Sequence, residues 1–151
     1  MDSEHFPLQG KCHCGNLKLI FNSTKTPDEL AVRTCACSFC RKHGIRSTSD
    51  PNGNLQIQIM NSQQVIHYRF GMHTADFLIC GCCGVYVAAI MHHETQQSFA
   101  TINVNVLDCA HLVSQNSVTV DYDGETVQSR RERRLRAWTP VTSIEEQNFQ
   151  P

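Results

Sequence analysis

Apolar and polar positions alternate with a period of two in several short stretches, the pattern of half-buried β-strands. Leu17, Leu19 and Phe21 share one face, and Leu55, Ile57 and Ile59 repeat the arrangement. Residues 65–70 and 75–79 predict two further strands joined by a turn at Gly71. Residues 85–91 are apolar almost throughout and predict a strand buried on both faces. Shorter strands are expected over 30–34, 98–106 and 118–122, with polar turns at 47–54 and at Asp123-Gly124. Helical signals are sparse. Ser38 can cap one turn that Gly44 stops, and Glu, Gln, Arg and Leu between 125 and 136 predict a short helix. Residues 1–9 read as a loose leader, and the polar stretch after Pro140 reads as a loose tail. The pattern is that of an all-β antiparallel domain over 10–125, with an Arg-rich extension and tail over 126–151.

Length and charge narrow the function classes. A chain of 151 residues can bury one real core. A net charge of -1 gives no global attraction to nucleic acid or an anionic membrane. No apolar run approaches roughly 18 residues, which argues against a spanning helix. The acidic start lacks an apolar signal core, so a cytoplasmic, reducing compartment is expected. In that setting nine cysteines favour metal binding or catalysis over disulfides.

The cysteines fall into groups. Cys12 and Cys14 form one pair, with Gly15 permitting the bend both thiols need to reach one metal. Cys80-Gly-Cys-Cys83-Gly84 between two strands reads as a zinc knuckle at a hairpin tip. Two pairs make the four ligands of a structural zinc. Cys35, Cys37 and Cys40 remain as a trio, and three protein ligands leave zinc a fourth position for water or substrate. Three thiolates make a weak Lewis acid, better suited to a soft sulfur ligand than to generating hydroxide. The alternatives are that every cysteine is structural, or that His13, His43 or His73 closes the second site. Cys82 could replace Cys80 or Cys83 in the knuckle, and iron could replace zinc. A thioredoxin-like reading of Cys80-x-x-Cys83 lacks the βαβ surroundings it requires.

The motifs Gly10-Lys-Cys12-His-Cys14-Gly15, Cys35-Ala-Cys37-Ser-Phe-Cys40-Arg41 and Phe77-Leu-Ile-Cys80-Gly-Cys-Cys83-Gly84 occur in that order. Together they resemble the glutathione-dependent formaldehyde-activating enzymes and the related centromere protein V-like domains, over about residues 8–125. The resemblance implies a β-tent fold of several coiled antiparallel sheets, similar to methionine sulfoxide reductase B and translationally controlled tumour protein. It implies two zinc ions, a structural one on Cys12, Cys14, Cys80 and Cys83 and a catalytic one on Cys35, Cys37 and Cys40. The reaction it implies is carbon–sulfur bond formation or cleavage between glutathione and formaldehyde. Ala36 departs from the family, which often has His there, and the chain leaves little room for a glutathione-binding insertion.

Other residues are candidates for substrate or packing roles. Arg41 and Lys42 follow the trio directly and are the expected contacts for an anionic thiol. Arg130, Arg131, Arg133, Arg134 and Arg136 could bind an anion, but the default for such a run is a solvated segment. His92-His93 is expected as an exposed pair. Tyr68, Phe70, Tyr86 and Trp138 are expected in sheet and core packing, with Cys109 a small buried hydrophobe. The rival to an enzyme is a non-catalytic, zinc-stabilised β module that binds a protein or nucleic-acid partner.

Overall fold

The computed structural model describes residues 4–147. The first six strands are β1 (Phe6–Lys11), β2 (Leu17–Ser23), β3 (Val32–Cys35), β4 (Ser47–Thr48), β5 (Asn54–Ile59) and β6 (Val65–Tyr68), of which β2, β3, β5 and β6 fall where the sequence pattern predicts them and β4 lies in the stretch read as a polar turn. They continue as β7 (Asp76–Cys80), β8 (Tyr86–His92), β9 (Ser98–Asn103), β10 (Val118–Val120) and β11 (Thr139–Glu146). Two helices complete the set, α1 (Ser38–His43) and α2 (Val127–Ala137). No helix among the described residues is long and apolar enough to cross a membrane.

All eleven strands join one mixed sheet that branches at β9. Along one edge β9 pairs first with β11, through Ser98–Ala100, and then with β4, through Ile102 and Asn103. Its other edge carries β8, which leads on to β7 and β6. Two pairings are parallel, β3 with β10 and β5 with β11, and both bring together strands distant in sequence. Parallel neighbours need long connections, which a local pattern does not reveal.

Leu17, Leu19 and Phe21 of β2 pack with Leu55, Ile57 and Ile59 of β5 in the main core. Each such side chain contributes about 1.5–3 kcal/mol by leaving water. β8 is buried from Tyr86 to Met91, in line with its apolar run. Its Tyr86, Ala89 and Met91 join a second, smaller core with Cys40, Ile45 and Trp138.

Both expected loose ends are corrected. The leader gives way at Phe6 to β1, which pairs with β2 along its whole length. The tail beyond Pro140 is β11, inserted between β5 and β9. Half of its residues are exposed, and backbone pairing holds it, with β9 through Thr139–Val141 and with β5 through Val141–Glu146. Residues 148–151 lie outside the described residues. β9 stops at Asn103, and residues 104–106 turn instead of extending it.

Candidate metal centre and pocket

β3 ends on Cys35, and Ala36 N–H donates to the Val120 carbonyl at 2.9 Å, extending the pairing to β10. The chain then turns into α1. Cys37, rather than Ser38, is the N-cap: its Sγ accepts from the Cys40 backbone N–H at 3.4 Å. Gly44 closes the helix at φ 62°, the left-handed conformation glycine adopts freely. This single turn brings the Cys35, Cys37 and Cys40 sulfurs within 4.8 Å of one another. A hydrogen bond from Cys40 brings Cys35 down to about 5, helped by Arg133, while Cys40 is driven up by Cys35 and by burial.

No fourth His, Cys, Asp or Glu joins this trio among the described residues. The His43 ring packs on Phe39, centroids 4.5 Å apart, and His13 and His73 are exposed. The trio therefore offers a soft metal three thiol ligands from one local segment, the donor chemistry that zinc accepts.

The second cluster joins the two distant segments expected. Cys12, Cys14, Cys80 and Cys83 also lie with their sulfurs within 4.8 Å of one another. Cys14 Sγ is 3.8 Å from Cys12 Sγ and 3.5 Å from Cys80 Sγ. Gly15 at φ 86° and Gly84 at φ 80° allow the two tight turns. Backbone N–H groups of Leu17 and Cys83 donate to the Cys12 and Cys80 sulfurs at 3.3 and 3.4 Å. Burial pushes the Cys83 thiol up, but N–H groups of Cys14 and Val85 outweigh it and bring it to about 6. Cys82 is exposed and stands apart from the four. The donor set is that of a closed metal site. Cys109 is partly buried against the main core.

The two clusters differ in their surroundings. The trio lines a cavity of about 430 Å³, to which none of Cys12, Cys14, Cys80 and Cys83 contributes. Phe70, Phe77, Tyr86 and Trp138 give the cavity aromatic walls. Phe39 lies behind them, its ring 4.9 Å from Phe77 and 5.5 Å from Tyr86. Tyr86 holds its proton far above neutrality because burial and the neighbouring thiols disfavour the phenolate. Tyr68, expected in the core, is 44 % exposed and stacks on Phe39 and Phe70.

The residues expected as substrate contacts lie away from the cavity. Arg41 and Lys42 are exposed and absent from the cavity. They follow Cys40 on a helix, so they point elsewhere, and Arg41 Nε donates to the Ala36 carbonyl at 3.0 Å. The cavity's cations are instead Arg33 of β3 and Arg130, Arg133 and Arg134 of α2. The helix starts at Thr126, whose hydroxyl accepts from Ser129 N–H. Positions 130, 133 and 134 then fall on one face, spaced i, i+3, i+4, so the run read as a solvated segment turns three of its arginines inward. That spacing was visible in the sequence. Arg33 carried no signal beyond its place two residues before Cys35. His92, as expected, is exposed; its Nε2 lies 3.5 Å from Asp76 Oδ2.

No family model matches the chain. The crystal structure of a Rhodobacter sphaeroides protein, solved as a structural-genomics target, is similar over 74 % of this chain and 99 % of that one, with 24 % identity and a TM-score of 0.50. That is a likeness of fold, and the β architecture with its two cysteine clusters is what the chain presents.

Proposed function

We propose that the trio and its cavity form the active site of a zinc-dependent carbon–sulfur lyase or synthase. Its substrates would be a small thiol of the glutathione kind and a small aldehyde such as formaldehyde, as the resemblance to the glutathione-dependent formaldehyde-activating enzymes implies. One observation carries the reading: of the two clusters suited to a metal among the described residues, the three-cysteine one lines a cavity of about 430 Å³, a size that suits a small ligand, and the four-cysteine one does not line it. In the synthetic direction the thiol sulfur forms a bond to the carbonyl carbon, the carbon–oxygen π bond breaks, and the proton lost from sulfur ends on oxygen. Cleavage is the reverse. Zinc on Cys35, Cys37 and Cys40 would supply a soft acceptor that favours the thiolate form of a substrate sulfur. The protein supplies the aromatic walls that shape the cavity around that sulfur.

Metal content and turnover test this together. Elemental analysis of protein purified under reducing conditions is expected to give two zinc ions per chain, and one in Cys40→Ala. Exchange of formaldehyde onto glutathione, followed by NMR, is expected to be accelerated by the wild type and not by Cys40→Ala, with the fold retained. A trio that holds metal but gives no acceleration with any thiol–aldehyde pair would favour the non-catalytic binding module.

A further inference from the structure

The cavity arginines fall into two classes. Arg130 and Arg133 are matched by Glu125: Arg130 Nε lies 3.0 Å from Oε1 and Arg133 Nε 2.8 Å from Oε2. Arg133 also covers the Tyr122 ring. Arg33 and Arg134 take part in none of the ion pairs among the described residues. Arg134 is only 7 % exposed. Its Nη1 donates to Thr74 Oγ1 at 2.8 Å, its guanidinium lies 4.5 Å from the Trp138 ring centroid, and its buried Nε has no hydrogen-bond partner among the described residues. Arg33 Nη2 donates to Ser49 Oγ at 2.7 Å and Thr101 Oγ1 at 3.3 Å. Those hydroxyls in turn donate to the carbonyls of Ala137 and Thr48, which fixes their lone pairs toward the guanidinium.

A buried charge without a counter-charge is costly, and neutral hydroxyls compensate it only in part. Each guanidinium has five N–H donors in a fixed fork. Here each spends one nitrogen on hydroxyls, and both residues line the trio's cavity. Arg33 is held by two strands, and Arg134 by a helix and the Trp138 ring, so neither needs ordering on binding. Asp121 and Asp123 also line the cavity but are exposed, and Asp121 Oδ1 accepts from Asp123 N–H.

We propose that Arg33 and Arg134 form an oxyanion subsite in the wall of the trio's cavity, and that they select small molecules bearing a carboxylate or a similar oxyanion. The proposal rests on the reading of that cavity as the ligand site. It assigns selectivity to one arginine just before the trio and one on α2, and removes it from Arg41 and Lys42.

The test uses calorimetric titration of the zinc-loaded full chain at fixed ionic strength with 3-mercaptopropionate, 3-mercaptopropionamide and propionate. The wild type is expected to bind the mercapto acid about 10-fold or more tightly than its amide, the difference made by a charged hydrogen bond. Arg134→Met and Arg33→Gln are each expected to shrink that ratio toward one while leaving affinity for the amide unchanged. Equal affinities for acid and amide in the wild type would overturn the subsite and leave the thiol reading standing. Propionate binding as tightly as the mercapto acid, and lost in both variants, would support the subsite and count against the thiol reading. A preference that survives in both variants would overturn the assignment to these arginines, and no binding of any probe would overturn both readings. Removing an unmatched buried charge should not unfold the chain, so Arg134→Met is expected to melt no lower than wild type. Arg134→Lys, which keeps charge but not the fork, provides a second variant and is expected to retain part of the preference.

Discussion

If Cys12, Cys14, Cys80 and Cys83 hold a structural metal while Cys35, Cys37 and Cys40 hold a reactive one, serine at Cys80 and at Cys37 should differ sharply in stability. Cys14 and Cys80 lie 66 positions apart, and a metal between them closes that length of chain. The chain-entropy relation used for disulfides gives about 4 kcal/mol for a loop of that size. In a protein of this length that corresponds to a loss of about 10–15 °C in Tm. Cys80 is also fully buried, so the substituted hydroxyl adds a desolvation cost in the same direction. The trio spans a segment already ordered by α1 and by the β3–β10 pairing, so losing its clip should cost about 1 kcal/mol or less. The assay is thermal melting by circular dichroism for wild type, Cys80→Ser and Cys37→Ser, with metal content measured on the same samples. Cys80→Ser is expected to melt far below Cys37→Ser. Equal losses in the two variants would refute the division of labour between the clusters, because the trio would then be holding the fold as well.

Two further expectations concern the frame around the cavity. Asp50 is 1 % exposed, and its carboxylate accepts from Ser23 Oγ, from Thr24 N–H and Oγ1, and from Asn52 N–H. Burial pushes its pKa up, but these donors outweigh burial and leave it below the ordinary aspartate value. Its stabilisation is therefore complete above the unfolded value of about 4 and is lost as pH falls through the lower folded value. Asp50→Ala should cost about 3 kcal/mol at pH 7, and urea unfolding should show the gap from wild type closing on acidification below about pH 4. A gap that stays constant to lower pH would mean the carboxylate's charge is not what the site uses. At Gly10, an alanine methyl would stand 2.7 Å from the Val106 carbonyl oxygen and 3.2 Å from Leu107 Cα. Gly10→Ala should lower stability by about 1–3 kcal/mol, read from the urea midpoint, and an unchanged midpoint would mean that β1 does not pack against residues 106–107.

The sequence discloses the parts of this protein whose determinants are local. Alternation at Leu17, Leu19 and Phe21 and at Leu55, Ile57 and Ile59 marks β2 and β5, because one buried face imposes a period of two. The cysteine groups are legible because a metal site needs thiols at short spacings. β11 is hidden because its stability comes from backbone pairing with β5 and β9, and Thr139–Glu146 carries almost no apolar face of its own. The shared face of Arg130, Arg133 and Arg134 is legible in their spacing, but the cavity it meets is not, because that depends on tertiary packing. Adjacency to Cys40 suggests Arg41 and Lys42, but consecutive helical residues diverge, while Arg33 and Arg134 lie 101 positions apart and meet at the cavity through tertiary packing.

That arrangement separates holding a metal from choosing a ligand. The three sulfurs are brought together by one turn of chain between Cys35 and Cys40, which needs little beyond the Cys37 cap and Gly44. The arginine wall needs the whole C-terminal segment in place. α2 is fixed at its start by Thr126 and at its end by Thr139, a buried residue whose Oγ1 accepts from Asp50 N–H at 2.8 Å. Ser49 ties Arg33 to the same end of α2 through the Ala137 carbonyl, at 2.6 Å. The two unmatched guanidiniums are therefore positioned by one network that runs from β4 to the start of β11 and does not pass through the trio. Substitutions along that network should alter which ligands enter the cavity, while substitutions in α1 should alter what happens to the sulfur once they are there.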